Sequence, residues 1–230
     1  MRPGSCMDWG FHPAGIPCSG NISESTGTVL ACVNCQTEYT PRSGVNIAQG
    51  LDDDHYFQMA FNTNGASVLE WYQSTCAPGL SIPELLAMAE VVAPGCGGLT
   101  ARPSADQYED LKGFIGVKKN HTHAHFVRAI LESTSLDLCG LVKELNGEEE
   151  AAIVSSGGGA RSRLWLQIKA DMLNRTFLLP DSGELACRGA AMLCAEAIPC
   201  FKDMEAIHPD PLQVERYKEW YNENENKNYE

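Results

Sequence analysis

Hydrophobic and polar positions alternate in the first quarter of the chain, which is typical of β-strands. Residues 19–38 alternate around Ile22, Leu30 and Cys32, and the pattern predicts a hairpin whose turn covers residues 23–28. Residues 52–64 combine a charged turn with a further apolar stretch, where we expect another strand. This region is therefore predicted to be a hairpin followed by a strand.

Helical spacing dominates the middle of the chain. The pattern predicts a helix over 66–75 opened by Gly65, a helix over 82–92 capped by Ser81, a short strand over 113–117, and a long helix from Asn120 or Thr122 to Leu145. The intervening residues 93–112 are rich in Pro and Gly and are predicted to be a loop.

Residues 151–175 carry the most informative pattern. Ala151 to Val154 predict a short buried strand, three glycines follow at 157–159, and Leu164, Ile168 and Met172 then recur at helical spacing. Glycine lacks a Cβ, so a ligand can lie against the backbone, and a helix N-terminus favours an anion. We interpret this strand, turn and helix as a nucleotide-binding corner. The alternative is a plain glycine-rich connector.

Two common nucleotide motifs do not fit this corner. The run GGGARS differs from G-x-G-x-x-G, and Asp171 lies inside the predicted helix, too early for the acidic residue of a dinucleotide site. The chain also contains no G-x-x-x-x-G-K-[ST] loop. A Rossmann dehydrogenase and a P-loop enzyme are therefore disfavoured.

Length and charge narrow the function classes. The 230 residues suffice for one large or two small domains, and the net charge of −13 argues against a nucleic-acid partner. No apolar run approaches the roughly 20 residues of a membrane span, and the N-terminus lacks a signal-peptide pattern. We expect a cytoplasmic protein without a membrane partner.

Three groups of residues resemble metal ligands, but each has a simpler structural interpretation. Cys32-x-x-Cys35 could be half of a zinc site, but reduced structural thiols are favoured for the ten cysteines. His121, His123 and His125 point apart at the start of a helix, which favours a partly exposed first turn. The acidic run at 52–54 is interpreted as a solvated turn. No metal ligand is predicted.

Four segments, taken in order, resemble the C-terminal half of the FGGY carbohydrate kinases, the family of xylulokinase, gluconokinase and glycerol kinase. They are the S-x-G-T-like loop at 25–28, the stretch NGASVLEW at 64–71, the segment GFIG…HFVRAILE from 113 to 132, and SGGGARS at 156–162 with Trp165, Gln167, Ala170 and Asp171. The closing Gly189-Ala190-Ala191 and the aromatic tail also fit.

The resemblance implies an α/β fold, namely a ribonuclease H-like (actin-like ATPase) domain with a mixed β-sheet flanked by helices. It implies an ATP-binding domain over 1–205. Within that range, the alanine-rich pattern from Gly183 to Ile198 predicts a final helix. Residues 206–230 would form a C-terminal tail whose last eight residues are frayed. The family's N-terminal sugar-binding domain is expected to be absent.

The resemblance also implies roles for individual residues. Asp8 would be the general base that accepts the proton of a sugar hydroxyl. The remaining residues would bind the nucleotide: Thr26, Gly27 and Thr28 at the phosphates, Gly65 and Leu69 nearby, and Gly158, Gly159, Ser162 and Gln167 at the ribose and adenine.

The expected activity is ATP-dependent phosphorylation of a sugar hydroxyl, with a pentulose such as xylulose as substrate and Mg²⁺ accompanying ATP. Because the sugar-binding half would be missing, the sugar would bind only together with that domain. The alternative is a non-catalytic nucleotide-binding module or a truncated kinase fragment that is inactive on its own. A homodimer is left open.

Overall fold

A computed structural model describes residues 22–50, 54–102, 113–145, 151–181 and 204–225, together with the single positions 185, 187 and 191. Its main feature is a seven-stranded sheet with the strand order β3-β4-β2-β1-β7-β8-β9. The strands of this sheet are β1 (Ile22–Thr26), β2 (Leu30–Gln36), β3 (Asn46–Gln49), β4 (Tyr56–Asn62), β7 (Ile153–Ser156), β8 (Phe177–Pro180) and β9 (Met204–Ile207). Strands β5 (Thr100–Ala101) and β6 (Phe114–Ile115) form a separate small sheet.

The large sheet is mixed. Strand β1 pairs antiparallel with β2 and parallel with β7, and β7 pairs parallel with β8. The two edges are antiparallel, β3 with β4 and β8 with β9. The α/β class with a mixed sheet flanked by helices is therefore confirmed, and β1 lies at its centre, between the antiparallel and parallel halves.

Five α-helices accompany the sheet in the described residues: α1 (Ser67–Cys76), α2 (Ile82–Glu90), α3 (His123–Glu144), α4 (Arg163–Leu173) and α5 (Pro211–Glu225). Local chemistry explains why α2 begins where it does. The Ser81 side chain accepts the Glu84 N–H, and the Glu84 carboxylate accepts the Ser81 N–H at 2.8 Å, which forms a capping box.

Two apolar clusters form the core. One joins α1, α2, α3 and α4 and contains Tyr72, Phe126 and Trp165. The other lies between the sheet and the helices α3 and α4 and contains Ile22 and Phe177. Since α3 and α4 contribute to both clusters, these two helices fix the position of the sheet relative to the helical layer.

The predicted hairpin is confirmed, but its turn is shorter than expected. Residues 23–26 were expected in the turn and belong to β1, because all four pair with β2 and residues 23–25 also pair with β7. Only residues 27–29 connect the two strands. The strands β3, β5, β8 and β9 were not predicted. The helix expected over Gly183–Ile198 lies outside the described residues except for three helical positions.

The stretch 206–230 contributes regular structure. It includes the end of β9 and helix α5, in which Val214 and Tyr217 are buried. Residues 226–230 of the expected frayed end lie outside the described part. No helix among the described residues is both long and apolar enough to cross a membrane.

Candidate functional site

The turn between β1 and β2 separates a buried threonine from an exposed one. Thr26 ends β1 and is fully buried, whereas Thr28 is exposed to solvent. The Gly27 N–H donates to the Val29 carbonyl at 3.0 Å, which closes the turn. Of the three residues predicted to hold phosphate, Thr28 therefore offers its hydroxyl to solvent and Thr26 does not.

Helix α1 begins directly against this turn. The Ala66 N–H donates to the Gly27 carbonyl at 2.6 Å, and the Ser67 hydroxyl donates to the Thr28 carbonyl at 2.8 Å. A Cβ on Gly65 would lie 2.3 Å from the Gly27 carbonyl oxygen, so only glycine allows this approach. The structure thus places Gly65 beside the turn, as the prediction of a shared site requires.

The three glycines at 157–159 have different surroundings. Gly157 has a φ of +82°, and a Cβ there would lie 2.8 Å from the Thr26 carbonyl oxygen. A Cβ on Gly159 would lie 2.7 Å from the Thr26 Cβ, whereas a Cβ on Gly158 would meet nothing closer than 3.9 Å. Two of the glycines therefore let the turn pack on the end of β1. Gly158 has open space in front of it, as a ligand-contacting position needs.

The segment after the glycines differs from the expected direct start of a helix. Gly158–Arg161 form a single 3₁₀ turn, and α4 begins only at Arg163. The Ser162 hydroxyl accepts the Trp165 N–H at 3.2 Å and so caps α4. The first N–H groups of a helical turn have no bonding partner within the turn itself, and this holds for a 3₁₀ turn as well.

A small cavity of about 180 Å³ lies beside the glycine run. It is lined by Ser155, Ser156, Gly157, Ala160, Arg161, Leu179 and Pro180. Its volume is below the roughly 300 Å³ of a typical ligand pocket, so it would enclose only part of a nucleotide. A wider groove of about 830 Å³ between α3, the end of α4 and α5 contains none of the predicted site residues.

A buried polar network lies behind the β1–β2 turn and was not predicted. Lys169 of α4 and Glu24 of β1 form an ion pair at 2.9 Å with neither side chain exposed. Thr26 and Ser155 bond to the same carboxylate. A sequence signal existed, because Glu24 alternates with Ile22 and Thr26 on the inward face of β1.

Two of the predicted site residues have their contacts away from the turn, and a third lies outside the described residues. Leu69 is buried in the apolar cluster of α1 to α4. The Gln167 amide donates to Asp171 at 2.8 Å and to the His208 carbonyl at 2.9 Å, so it joins α4 to the segment before α5. Asp8, the predicted base, lies outside the described residues.

The histidines and cysteines that invited a metal interpretation have other partners. His121 and His125 stack at 5.1 Å, and the His123 ring bonds to the Tyr72 hydroxyl. Burial, followed by the Glu24 carboxylate, raises the pKa of the Cys32 thiol well above its usual range. Within the described ranges no group of three or more His, Cys, Asp or Glu could hold a metal ion.

Comparison with known proteins identifies a family that matches most of the chain. Residues 25–198 match the C-terminal domain of the FGGY family of carbohydrate kinases. The chain is 28% identical over 229 residues to a xylulose kinase of Bacillus subtilis, a match that covers 89% of the chain and 46% of the relative. It thus spans less than half the length of that relative.

Solved structures show the same fold. A xylulose kinase from Rhodospirillum rubrum aligns with a TM-score of 0.74 at 25% identity, over 92% of this chain and 47% of that one. A Plasmodium falciparum glycerol kinase solved with ADP aligns with a TM-score of 0.70 at 16% identity, over 91% and 47%. The expected actin-like ATPase fold is confirmed, and the chain belongs to the FGGY family of carbohydrate kinases, of which it carries the C-terminal domain.

Proposed function

We propose that this chain supplies the nucleotide-binding half of a kinase that transfers the γ-phosphoryl group of Mg-ATP to a hydroxyl of a pentulose such as xylulose. One observation carries the nucleotide assignment: three sequence-distant glycine segments converge on the end of β1. Gly27 follows Thr26 directly, Gly65 packs on the turn, and Gly157 and Gly159 pack on Thr26. Xylulose kinases among the relatives favour the pentulose.

The exposed groups of this junction suit a polyphosphate. Phosphoryl transfer needs mainly positioning and neutralisation of charge, which hydroxyls and backbone N–H groups provide. We assign the phosphates to the turn at Gly27 and Thr28, where Thr28 supplies the exposed hydroxyl and Gly27 shapes the turn, and the ribose to the open side of Gly158. The buried residues Leu69 and Ser162 would act by shaping the site, and Gln167 by holding the segment beside it.

Magnesium fits the site as a companion of ATP. Mg²⁺ usually keeps several waters and binds substrate phosphates with one or two protein oxygens. Thr28 offers an exposed hydroxyl at the turn. The ion would neutralise charge on the phosphates, and Asp8 is the proposed base for the sugar hydroxyl.

Catalysis by these 230 residues alone is not expected. The chain covers only 46% of the Bacillus subtilis relative, and in-line transfer requires the sugar hydroxyl to be held within about 1 Å of its reactive position. We propose that the sugar is bound by a further domain and that the reaction takes place in the cytoplasm. A non-catalytic nucleotide-binding module is the second candidate, favoured by the small cavity beside the glycine run.

Calorimetric titration of the folded chain with Mg-ADP tests the proposal. We expect a Kd between high micromolar and millimolar, equivalent to about 4–6 kcal/mol, because only one wall of the cleft is built. Absence of heat at millimolar ADP would contradict nucleotide binding. A coupled ADP-release assay with xylulose, gluconate and glycerol separates the two candidates. Turnover near ~1 s⁻¹ would show that the chain acts as an enzyme by itself.

A further inference from the structure

The buried ion pair of Glu24 and Lys169 lies immediately behind the proposed phosphate turn. The Lys169 ammonium is 2.9 Å from Glu24 Oε1 and 5.3 Å from the centre of the Trp165 ring. Both charged side chains are completely shielded from solvent. Their position connects α4 to the central strand β1 at the point where the turn begins.

The hydroxyl of Thr26 bridges the two charges. It accepts a hydrogen bond from Lys169 Nζ at 2.7 Å and donates its proton to Glu24 Oε2 at 2.8 Å. A threonine hydroxyl has one proton, and this proton is directed into the protein. Thr26 therefore does not present a donor to a phosphate in this arrangement, in contrast to the role expected from the family resemblance.

These two bonds fix the rotamer of Thr26. With the hydroxyl held between Glu24 and Lys169, the methyl group must point in one direction. That direction is toward the glycine run, because a Cβ on Gly159 would lie 2.8 Å from the Thr26 methyl carbon. Thr26 thus transmits the position of the ion pair to both the β1–β2 turn and the 3₁₀ turn.

Stability alone does not explain why charges occupy this place. Burying two ions costs several kcal/mol each, and apolar residues of similar size often stabilise a core equally well. What an apolar pair cannot do is hold a hydroxyl in one orientation. A network with every member hydrogen-bonded fixes geometry more sharply than apolar packing does.

We propose that Glu24 and Lys169 are positioning residues for the nucleotide. By locking Thr26, they hold the turn at Gly27 and Thr28 at a fixed distance from the glycine run at 157–159. The identity of the ligand as a nucleotide rests on the proposed function, whereas the ordering of the turn is a property of the chain without ligand. The nucleotide then meets preformed donors and loses less entropy on binding.

The test uses the full 230-residue chain and the double variant Glu24→Leu with Lys169→Leu, which removes both charges together. Two quantities are measured: amide exchange of Gly27 and Ala66 without nucleotide, and the Kd for Mg-ADP. The Ala66 N–H bonds to the Gly27 carbonyl, so its exchange reports the turn. We expect a folded variant with about tenfold faster exchange at both amides and a Kd raised about 5- to 10-fold.

Thr26→Val and Thr26→Ser provide a matched pair should the double variant fail to fold. Thr26→Val keeps the shape and loses the hydroxyl, and it should reproduce the faster exchange and weaker binding. Thr26→Ser keeps the hydroxyl and should stay within about twofold of the parent chain.

Specific results of these measurements would overturn the proposal. Unchanged exchange in a folded double variant, or in Thr26→Val, overturns the proposal. Tighter ADP binding by the double variant also overturns it, because the released hydroxyl would then be a direct phosphate ligand. If the parent binds no ADP but exchange still rises, the proposed function fails and the ordering of the turn stands.

Discussion

Two buried ion pairs in the described part of the fold differ in what their hydrogen bonds reach. Glu24 and Lys169 join β1 to α4 and hold the hydroxyl of Thr26 beside the proposed nucleotide turn. Arg128 and Glu132 lie one turn apart on α3 at 2.9 Å, and both bond to the Tyr217 hydroxyl of α5.

The second pair also organises a loop. The Glu132 carboxylate accepts the Gly95 N–H at 3.2 Å and the Cys96 thiol at 3.3 Å. Burial, followed by Glu132, raises the pKa of the Tyr217 hydroxyl, which therefore remains protonated and able to donate. This pair fastens a helix and a loop to α3 and hydrogen-bonds to none of the predicted site residues that the structure describes.

The two buried ion pairs have similar chemistry but different roles. Both pairs carry the cost of removing ions from water, and in both the surrounding hydrogen bonds offset it. The hydrogen bonds of the first pair reach the turn where a ligand is proposed to bind. Those of the second pair reach only a packed helix and a loop. Disrupting the first should therefore alter affinity and turn order, whereas disrupting the second should alter stability alone.

The largest expected effect is that of Glu132→Ala. It leaves the Arg128 guanidinium buried without a counter-ion, so the free energy of unfolding should fall by about 3–5 kcal/mol. Urea denaturation measures the loss, and the Mg-ADP affinity of the folded fraction should be unchanged. Glu215→Ala, at an exposed pair with Lys218, is the control and should stay within about 0.5 kcal/mol. A loss below about 1 kcal/mol for Glu132→Ala would contradict the comparison.

Valine at Gly159, which packs on Thr26, and at Gly158, which faces open space, comes next. Gly159→Val would force a Cβ to 2.7 Å from the Thr26 Cβ, so we expect a loss of about 1–3 kcal/mol in the free energy of unfolding as well as weaker ADP binding. A Cβ on Gly158 would meet nothing closer than 3.9 Å, so Gly158→Val should keep its stability while the Kd for Mg-ADP rises about tenfold. Normal ADP binding by Gly158→Val would reduce the glycine run to a connector.

Tyr217→Phe tests how much the Tyr217 hydroxyl contributes to the region around Arg128 and Glu132. The ring and its packing remain, while the hydroxyl that donates to Glu132 at 3.0 Å is lost. We expect thermal and urea unfolding to show a loss of about 1–2 kcal/mol, the range for a hydrogen bond to a charged group. Any change in amide exchange at Gly27 would show that the two regions are coupled.

The smallest effect concerns Asp137 of α3, which accepts a bond from Asn64, next to Gly65, and so links the two regions. Burial raises the pKa of the Asp137 carboxyl to about 6. Because the pKa is raised on folding, the contribution of this carboxyl to the stability of the parent falls as pH rises from about 4 to 6. Asp137→Asn should remove this pH-dependent loss, so its stability relative to the parent should be higher at pH 7 than at pH 4. A difference that is the same at both pH values would contradict the assignment.

Local features were predictable from the sequence. The helices around Ser81 and Thr122 follow from caps and apolar spacing, and the structure has α2 and α3 beginning there. The hairpin turn was predicted too long because Ser23 and Ser25 resemble turn residues. Their pairing with β7 depends on a segment about 130 positions away, which a local pattern does not reveal.

The candidate site likewise has some features that the sequence predicts and others that it does not. Glycine and threonine loops signal a ligand surface in the sequence, so the junction around Thr26 could be anticipated. That Gly157 and Gly159 serve packing, and that Thr26 is turned inward, depends on close contacts between distant segments. The alternation in β1 places Glu24 on the inward face, but it does not reveal the partner, because Lys169 lies 145 positions away.

That separation has a consequence for biosynthesis. At about 5–20 residues per second, the ribosome needs on the order of 10 s to proceed from Glu24 to Lys169. During this interval Glu24 has no counter-ion, so the newly made β1–β2 hairpin cannot bury its inner face without a severe desolvation penalty. The first strand to be synthesised among those described therefore completes its inner contacts only after α4 has been made.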